Sequence, residues 1–257
     1  MSLSGRRKTP PHAIPAWVAQ VTAGDLLLFL IVNLGALRLA GLFVGSILGA
    51  ARGGREGDGE AMALAIPLSL ILLQTLILLA SLRGLILRKY GLSWADLGLR
   101  PCPRVWYWRA FLLALVMLPV VGAFNAAIPR IFDVPFENPQ ITALAPRGFN
   151  WPALIGMTVM GGIVAPFAEE LAFRGLLFGW LRGRMGFVAA AGLNALCFAV
   201  MHGVVLLIPA LVAVGLALAW IAERSGSLWP AIVTHGVFNS AMIFALYAAL
   251  AQGAGGS

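Results

Sequence analysis

The chain has 257 residues, of which 60% are hydrophobic and only 11% are charged. A water-soluble domain carries roughly 25% charged residues, so this composition excludes a soluble globular protein. The formal net charge of +8 comes from basic residues in short segments between apolar runs, which is typical of membrane topology signals and not of nucleic-acid binding. We predict an all-α, polytopic transmembrane helical bundle in the lipid bilayer, with no nucleic-acid partner.

Seven apolar runs reach or approach the about 20 residues that a helix needs to cross a bilayer. We place these spans at residues 23–50, 61–82, 109–128, 151–181, 187–203, 205–222 and 228–250. Asp25, Asn33 and Arg38 interrupt the first run, which leaves room for an eighth, partial span within residues 23–60. The bundle is therefore predicted to have about seven to eight spans.

The orientation follows from the positions of the basic residues. Residues 1–22 form a polar tail that lacks the cleavage pattern of a signal peptide, so we expect it to be cytoplasmic and uncleaved. Most basic residues then lie on the cytoplasmic side, namely Arg6, Arg7, Lys8, Arg83, Arg88, Lys89, Arg100, Arg104, Arg109, Arg182, Arg184 and Arg224. The opposite side holds Arg52, Arg55, Arg130 and Arg147. This asymmetry predicts the N-terminus inside and the C-terminus outside.

The fourth span contains an unusual charged stretch, APFAEELAFRG, at residues 165–175. Glu170 and Arg174 are four residues apart and share one helix face, so we predict an ion pair between them. Glu169 points about 140° away from Arg174 and has no local partner. A carboxylate at membrane depth is functional by default, and an unpaired one is a natural general base. The alternative is that all three charges form a salt-bridged packing device.

Two histidines, His202 and His235, also fall in predicted spans. Asn194, Phe198 and His202 recur at a spacing of four, as do His235 and Asn239, so each set shares a helix face. A lone membrane histidine more often makes a helix–helix hydrogen bond than performs catalysis. Two histidines and a glutamate pair within the last part of the chain instead favour a functional site.

Helix geometry indicates that these residues can meet at one depth. Counted from a turn at Met185, Glu169 and His202 both lie roughly 25 Å along their helices. His235 lies only roughly 14 Å past the turn at Gly226, so all three become level if the hairpin of spans four and five projects about 10 Å further. We therefore expect a shared site within the membrane.

Three motifs carry a resemblance to a known family. The segments EELAFRG, FAVMH and HGVFN, read as E-E-x-x-x-R-G, F-x-x-x-H and H-x-x-x-N, resemble the motifs of the CPBP family (CAAX-protease and bacteriocin-processing, or Abi, intramembrane endopeptidases). The resemblance covers roughly residues 150–245. It implies a catalytic transmembrane core at residues 149–250, preceded by N-terminal transmembrane helices and loops at residues 23–148.

The resemblance also implies a role for each matching position. Glu169 would be the general base that activates water together with His202. His235 and Asn239 would stabilise the oxyanion. Glu170, Arg174 and Phe198 would support the site. Amide hydrolysis needs a base near the water and donors where negative charge develops, so these residue types suit the chemistry.

The family is also described as metalloproteases, which leaves the cofactor open. In that version, Zn²⁺ would be bound by His202, His235 and a glutamate such as Glu169, with one coordination position open. The chain has no H-E-x-x-H motif, and the spacing does not discriminate between the two mechanisms. We favour the metal-free glutamate mechanism, with no cofactor required.

The partner would be a membrane-associated peptide or protein substrate. Almost all basic residues are arginine, which suggests a GC-rich bacterial source, and we therefore expect the bacterial cytoplasmic membrane and no prenylated CAAX substrates. Two other functions remain open. One is a proton-coupled transporter, but the sequence shows no repeated half with a second broken helix, which many transporters have. The other is a catalytically silent membrane scaffold, but such a protein would have no physical reason to keep all the polar and charged side chains of the three motifs.

Overall fold

The computed structural model describes residues 15–51, 58–133 and 149–254, and all regular elements in these ranges are helical. The predicted fold class, a helical membrane bundle, is confirmed. We number the main helices α1 (Ala23–Ala51), α2 (Asp58–Ser81), α3 (Val105–Phe132), α4 (Trp151–Arg182), α5 (Phe187–Met201), α6 (Ile208–Ser225) and α7 (Leu228–Ala254). Most of the predicted tail, residues 1–14, lies outside the described residues.

Six stretches of the described residues are long and apolar enough to cross a membrane. They are Ala23–Phe43, Ala65–Tyr90, Val105–Phe132, Trp151–Arg182, Val205–Ser225 and Leu228–Gln252. Helix α5 has 15 residues and extends roughly 22 Å, which is shorter than the roughly 30 Å hydrocarbon core. The described parts of residues 23–60 contain one long helix before α2, without a separate eighth span. The bundle thus has six full spans and one shorter apolar helix among the residues that the structure describes.

The second predicted span was too short. The helix continues beyond residue 82 through a π-helical segment, Leu82–Leu87, and a last turn, Arg88–Tyr90. The basic residues interrupt the apolar run in the sequence, but Leu82 and Ile86 are fully buried and hold this extension against the core. The helix ends at Gly91, whose φ of 64° is readily adopted by glycine.

Helix α4 lies at the centre of the bundle and contacts α2, α5, α6 and α7. It is not a uniform α-helix, because π-helical segments at Met160–Val164 and Leu171–Phe178 flank the α-helical turn Ala165–Glu170. Pro166 lacks the N–H that would bond the carbonyl of Gly162, which explains why the regular ladder is interrupted before the glutamates. Such π segments leave main-chain carbonyls available for side chains.

Small residues bring α4 and α7 into close contact. A Cβ atom on Gly236 would lie 2.6 Å from the carbonyl oxygen of Gly162, so no larger residue fits there. Small residues at membrane-helix interfaces allow this close backbone approach. Because His235 and Asn239 flank Gly236 on α7, the contact brings both side chains next to α4.

The connections at one end of the bundle are tied together by hydrogen bonds. The indole N–H of Trp17 donates to the carbonyl of Asp96 at 3.0 Å, and Arg100 Nε donates to the carbonyl of Gly226 at 2.6 Å. Trp180 Nε1 donates to the carbonyl of Val21 at 2.8 Å. The same end of the bundle therefore holds the segment before α1 and the α2–α3, α4–α5 and α6–α7 connections. These are the segments that the basic residues assign to one side of the membrane.

The outer surface of the bundle is apolar. Several large side chains are more than half exposed, among them Leu39, Leu112, Val116 and Ile155. Soluble monomers rarely expose contiguous apolar surfaces of this kind. Together with the six spanning helices, this surface is that of an integral membrane protein.

Candidate active site

Glu170 is the most buried charged residue of the site, with an exposed fraction of zero. Its Oε1 atom accepts a hydrogen bond from Arg174 Nη1 at 2.7 Å, so the predicted i,i+4 ion pair is present. The same oxygen lies 2.8 Å from His235 Nδ1. One carboxylate oxygen of Glu170 thus has two nitrogen partners, one on α4 and one on α7. The carboxylate thus joins α4 to α7.

Arg174 is enclosed by three helices. Its Nη2 donates to the carbonyl of Gly215 on α6 at 3.4 Å, and its guanidinium carbon lies 4.5 Å from the ring centroid of Phe198 on α5. Its side chain is fully buried. A planar cation suits this position, because it can donate to a carboxylate and stack on an aromatic face at once.

His235 lies between the two glutamates. Its Nδ1 faces Glu170 Oε1, and its Nε2 lies 3.8 Å from Glu169 Oε2. An ionised carboxylate only accepts, so Nδ1 carries the hydrogen in this contact, and Nε2 carries one only when the ring is positively charged. His235 is 3% exposed, so only a small part of its surface is accessible.

His202 ends helix α5, where Gly203, with a φ of 73°, turns the chain away. Its Nδ1 lies 2.8 Å from the carbonyl oxygen of Phe198. Because that oxygen is an acceptor, Nδ1 must donate, and the neutral ring then has a lone pair on Nε2. The hydrogen bond therefore fixes the tautomer that can accept a proton or orient a water molecule.

Phe198 connects the two histidines. Its ring centroid lies 4.6 Å from that of His202 and 5.7 Å from that of His235, with edge-to-face geometry in both pairs. The ring also covers Arg174. Phe198 is 1% exposed and so keeps both imidazoles and the guanidinium in fixed positions.

Glu169 and His202 line one cavity of about 240 Å³ between α1, α2, α4 and the end of α5. The Glu169 side chain is 21% exposed, in contrast to the fully buried Glu170. The two adjacent glutamates are therefore separated by position, since one faces a cavity and the other faces the protein interior. His235 and Asn239, on α7, are not among the residues that line this cavity.

Two asparagines satisfy main-chain carbonyls within the π-helical segments of α4. Asn239 Nδ2 donates to the carbonyl of Gly161 at 3.0 Å, and Asn194 Nδ2 donates to the carbonyl of Phe173 at 2.8 Å. Buried carbonyls without a partner are costly, so these bonds stabilise the interrupted helix. The sequence placed Asn194 on the His202 face, but nothing in it indicated that Phe173 would need a donor.

The structure brings the predicted residues of three motifs together. Glu169, Glu170, His235 and Asn239 meet where α4 and α7 touch, while Phe198 and His202 approach from α5. The expected common depth of the glutamates and histidines agrees with this arrangement. Sequence reasoning did not identify the carbonyls of Gly161 and Gly215 as partners, since any residue supplies a main-chain carbonyl.

The residues do not form a ready-made zinc site. Within residues 15–51, 58–133 and 149–254, no three His, Cys, Asp or Glu side chains are grouped so that they could hold a metal ion. His202 Nδ1 contacts a main-chain carbonyl and His235 Nδ1 contacts Glu170, but metal-bound histidines commonly make the same contacts, so these bonds do not discriminate between the two mechanisms. Glu169, His202 and His235 are thus not grouped as an assembled metal site in the described residues, and the chemistry considered below uses side chains alone.

Comparison with known proteins agrees with the motif pattern. Residues 151–241, which contain all three motifs, match the family model described as "Type II CAAX prenyl endopeptidase Rce1-like". The resemblance to the CPBP family is confirmed. The matched segment begins at the first residue of α4 and ends within α7, so it contains every side chain of the site.

A curated relative extends this comparison. Over 139 residues the chain is 23% identical to a Bacillus subtilis (strain 168) protein named "Putative membrane peptidase YdiL". The chain spans about half the length of that relative, since the alignment covers 54% of each protein. No solved structure matches the chain.

Proposed function

We propose that this protein is an intramembrane endopeptidase of the CPBP family that hydrolyses a peptide bond of a membrane-associated protein or peptide. The observation that carries the proposal is that Glu169 and His202 line the same cavity inside the bundle. A carboxylate and an imidazole that face one cavity supply the base and the water-orienting group of amide hydrolysis. The family match and the name of the relative support the same reaction class.

In the proposed reaction, Glu169 takes a proton from water while the water oxygen attacks the carbonyl carbon of the substrate. The C–O double-bond electrons move to the oxygen, which becomes the oxyanion. The proton held by Glu169 then passes to the amide nitrogen as the C–N bond breaks, and a carboxylic acid and an amine result. His202 accepts a hydrogen bond from the water at Nε2, since its Nδ1 hydrogen is bound to the Phe198 carbonyl.

His235 and Asn239 are the proposed oxyanion donors. Asn239 uses one amide hydrogen for the Gly161 carbonyl and keeps the second. His235 can donate from Nε2 only in its charged form, because Nδ1 donates to Glu170. Donors placed where negative charge develops on the substrate stabilise the transition state. Glu170 and Arg174 hold His235 in position.

We also propose that residues 149–250 are the catalytic core and that the hydrogen-bonded end of the bundle faces the cytoplasm. The active site then lies between α4, α5 and α7, and the helices of residues 23–148 form the cavity wall on the substrate side. The excess of arginine on that end supports the orientation. A bacterial cytoplasmic membrane is the proposed location.

The proposal is tested with protein in detergent and a mixture of internally quenched fluorescent peptides of apolar sequence. Wild type should cleave a subset of them, and Glu169→Ala should cleave none. In parallel, N-terminal peptide enrichment from membranes of cells that express either form should reveal new N-termini with wild type alone. Identical peptide and membrane profiles for the two forms would exclude the endopeptidase activity.

A further inference from the structure

Two amide side chains of the membrane helices face the cavity that contains Glu169 and His202. They are Asn33 on α1 and Gln74 on α2. The other residues that these helices contribute to the lining are all apolar, namely Leu26, Phe29, Leu30, Ala36, Ile77 and Leu78. Helix α2 also packs directly against the Ala165–Glu170 turn of α4. The amides are therefore polar exceptions on an apolar wall beside the glutamates.

Gln74 lies well inside the Ala65–Tyr90 span and makes no hydrogen bond to any residue that the structure describes. Asn33 donates both amide hydrogens, to the Phe29 carbonyl at 2.7 Å and to Ser81 Oγ at 2.9 Å. Its Oδ1 accepts from none of the described residues. The cavity wall thus offers one complete amide group and one additional acceptor oxygen.

Such groups are expensive within a membrane span unless they have a partner. Polar side chains there commonly join helices by hydrogen bonds, and Asn33 does so through Ser81. Gln74 has no such role among the described residues. Gln74 instead lines the cavity with an exposed side chain, which indicates a ligand with hydrogen-bonding groups.

We propose that Gln74, together with Asn33 Oδ1, binds the main chain of an unwound substrate segment next to the peptide bond that is cut. The inference rests on the proposed function. A membrane helix must unwind locally before one of its peptide bonds can be attacked, and the freed N–H and C=O groups then need partners inside the membrane. The Gln74 amide can donate to a substrate carbonyl and accept from a substrate N–H, and Asn33 Oδ1 can accept from another.

This arrangement defines a substrate class. Main-chain recognition does not depend on the identity of the substrate side chains, and the surrounding wall of Phe29, Leu30, Ile77 and Leu78 accommodates apolar ones. The expected substrate is therefore an apolar segment in an extended conformation, whereas polar or tightly helical segments are expected to be poor substrates.

The experiment uses one apolar quenched peptide that wild type cleaves and a series of its analogues. In each analogue, one main-chain amide beside the scissile bond is replaced by an ester, which removes a donor and weakens an acceptor. With wild type, at least one ester should lower kcat/KM by about three- to tenfold, the effect of one neutral hydrogen bond. Gln74→Leu should show a similar loss with the all-amide peptide and no additional loss with that ester.

Leu76→Gln provides the matched control. Leu76 is on the same helix and 55% exposed, but it does not line the cavity, so the added amide should leave kcat/KM unchanged. In the double variant Gln74→Leu/Leu76→Gln the displaced amide should not restore activity. Gln74→Met keeps the length of the side chain without the amide and serves if Gln74→Leu unfolds in detergent.

The outcomes separate this inference from the proposed function. If wild type cleaves no peptide faster than Glu169→Gln does, the endopeptidase assignment fails and the subsite fails with it. If wild type cleaves but no ester lowers its kcat/KM, or if esters act equally on wild type and on the Gln74 variants, the main-chain subsite is overturned and the endopeptidase assignment stands.

Discussion

His235 Nδ1 lies 2.8 Å from Glu170 Oε1, the same oxygen that accepts from Arg174 Nη1 at 2.7 Å. One carboxylate oxygen therefore binds two donors from two helices. The shared contact sets the hydrogen position on His235 and directs its Nε2 towards Glu169, 3.8 Å away. The adjacent glutamates thus differ in surroundings, because Glu170 is buried and bound to Arg174 and His235, whereas Glu169 lines the cavity.

The first prediction concerns the general base. Glu169→Gln should insert and fold normally but lose peptide cleavage, because a neutral amide cannot take a proton from water. Loss of a general base typically costs on the order of 10²–10⁴ in rate. The measurement is kcat for one quenched peptide with purified protein, with the melting temperature in detergent as the folding control. Near-normal turnover by Glu169→Gln would remove Glu169 from this role.

The second prediction concerns the buried ion pair. Arg174→Ala should lower both stability and activity, since it leaves the Glu170 carboxylate without its cation at a position of zero exposure. Breaking a buried pair by removing one partner costs roughly 3–5 kcal/mol of unfolding free energy. The check is unfolding in detergent, followed by the intrinsic fluorescence of tryptophan.

The matched control for this pair is the double variant Glu170→Gln/Arg174→Ala. It removes both charges, and the new amide oxygen can still accept from His235. Part of the lost stability should therefore return, although activity should stay low because His235 is held less firmly. A double variant that is no more stable than Arg174→Ala would contradict the pairing.

The third prediction concerns Asn194, which is fully buried and donates to the Phe173 carbonyl at 2.8 Å. Asn194→Ala should leave that carbonyl without a partner, at a cost of about 1–3 kcal/mol of unfolding free energy. Activity should fall as well, because the π-helical segment that it supports sets the direction of Glu170 and Arg174. Leu193→Ala, on the exposed side of α5, is the control and should have a much smaller effect. Equal stability of the two variants would show that this hydrogen bond is not important.

The fourth prediction concerns orientation. Cys102 lies in the connection before α3, at the end of the bundle that we assign to the cytoplasm. In a Cys197→Ala background, a membrane-impermeant maleimide should label Cys102 in inverted membrane vesicles and leave it unlabelled in intact spheroplasts. A cysteine that replaces Trp151, the 65% exposed first residue of α4, should show the opposite pattern when Cys102 is also changed to alanine. Labelling of Cys102 in intact spheroplasts would reverse the orientation.

Much of the architecture was readable from the sequence because membrane spans leave a simple signal of length and apolarity. The ion pair between Glu170 and Arg174 was also predictable, since the i,i+4 spacing acts within a single helix. The contact between His235 and Glu170 was not, because it depends on how closely α7 approaches α4. The sequence had led us to expect His235 only as an oxyanion donor or a zinc ligand, whereas the structure also engages it with Glu170.

Other features escaped the sequence for different reasons. The extension of α2 to Tyr90 was missed because Arg83, Arg88 and Lys89 look like a loop, although they follow the helix surface while Leu82 and Ile86 are buried. The position of Gln74 in the cavity wall depends on the rotation of α2 against its neighbours, which a helical pattern without a polar face does not reveal. A single amide inside an apolar run was nevertheless a signal that could have been used.

The last prediction concerns metal dependence. A zinc site with His202 and His235 and an oxyanion pair of His235 and Asn239 predict different effects of chelators and of alanine variants. If zinc were bound by His202 and His235, each alanine variant would lose metal in proportion to activity, and a chelator would inactivate reversibly. If His235 and Asn239 are oxyanion donors, His235→Ala should cost roughly 3–4 kcal/mol of transition-state stabilisation with little change in substrate binding.

Asn239 is the sharper probe, because an amide is a poor zinc ligand and a good hydrogen-bond donor. We expect Asn239→Ala to be severely impaired and 1,10-phenanthroline to leave wild type active. Asn239→Ala also leaves the Gly161 carbonyl without its donor, so its stability is compared with that of Asn194→Ala, which loses an equivalent bond. If both lose similar stability but Asn239→Ala loses far more kcat, Asn239 acts on the reaction itself. Stoichiometric zinc in the purified protein, with activity lost on its removal and restored on its return, would establish the metal mechanism instead.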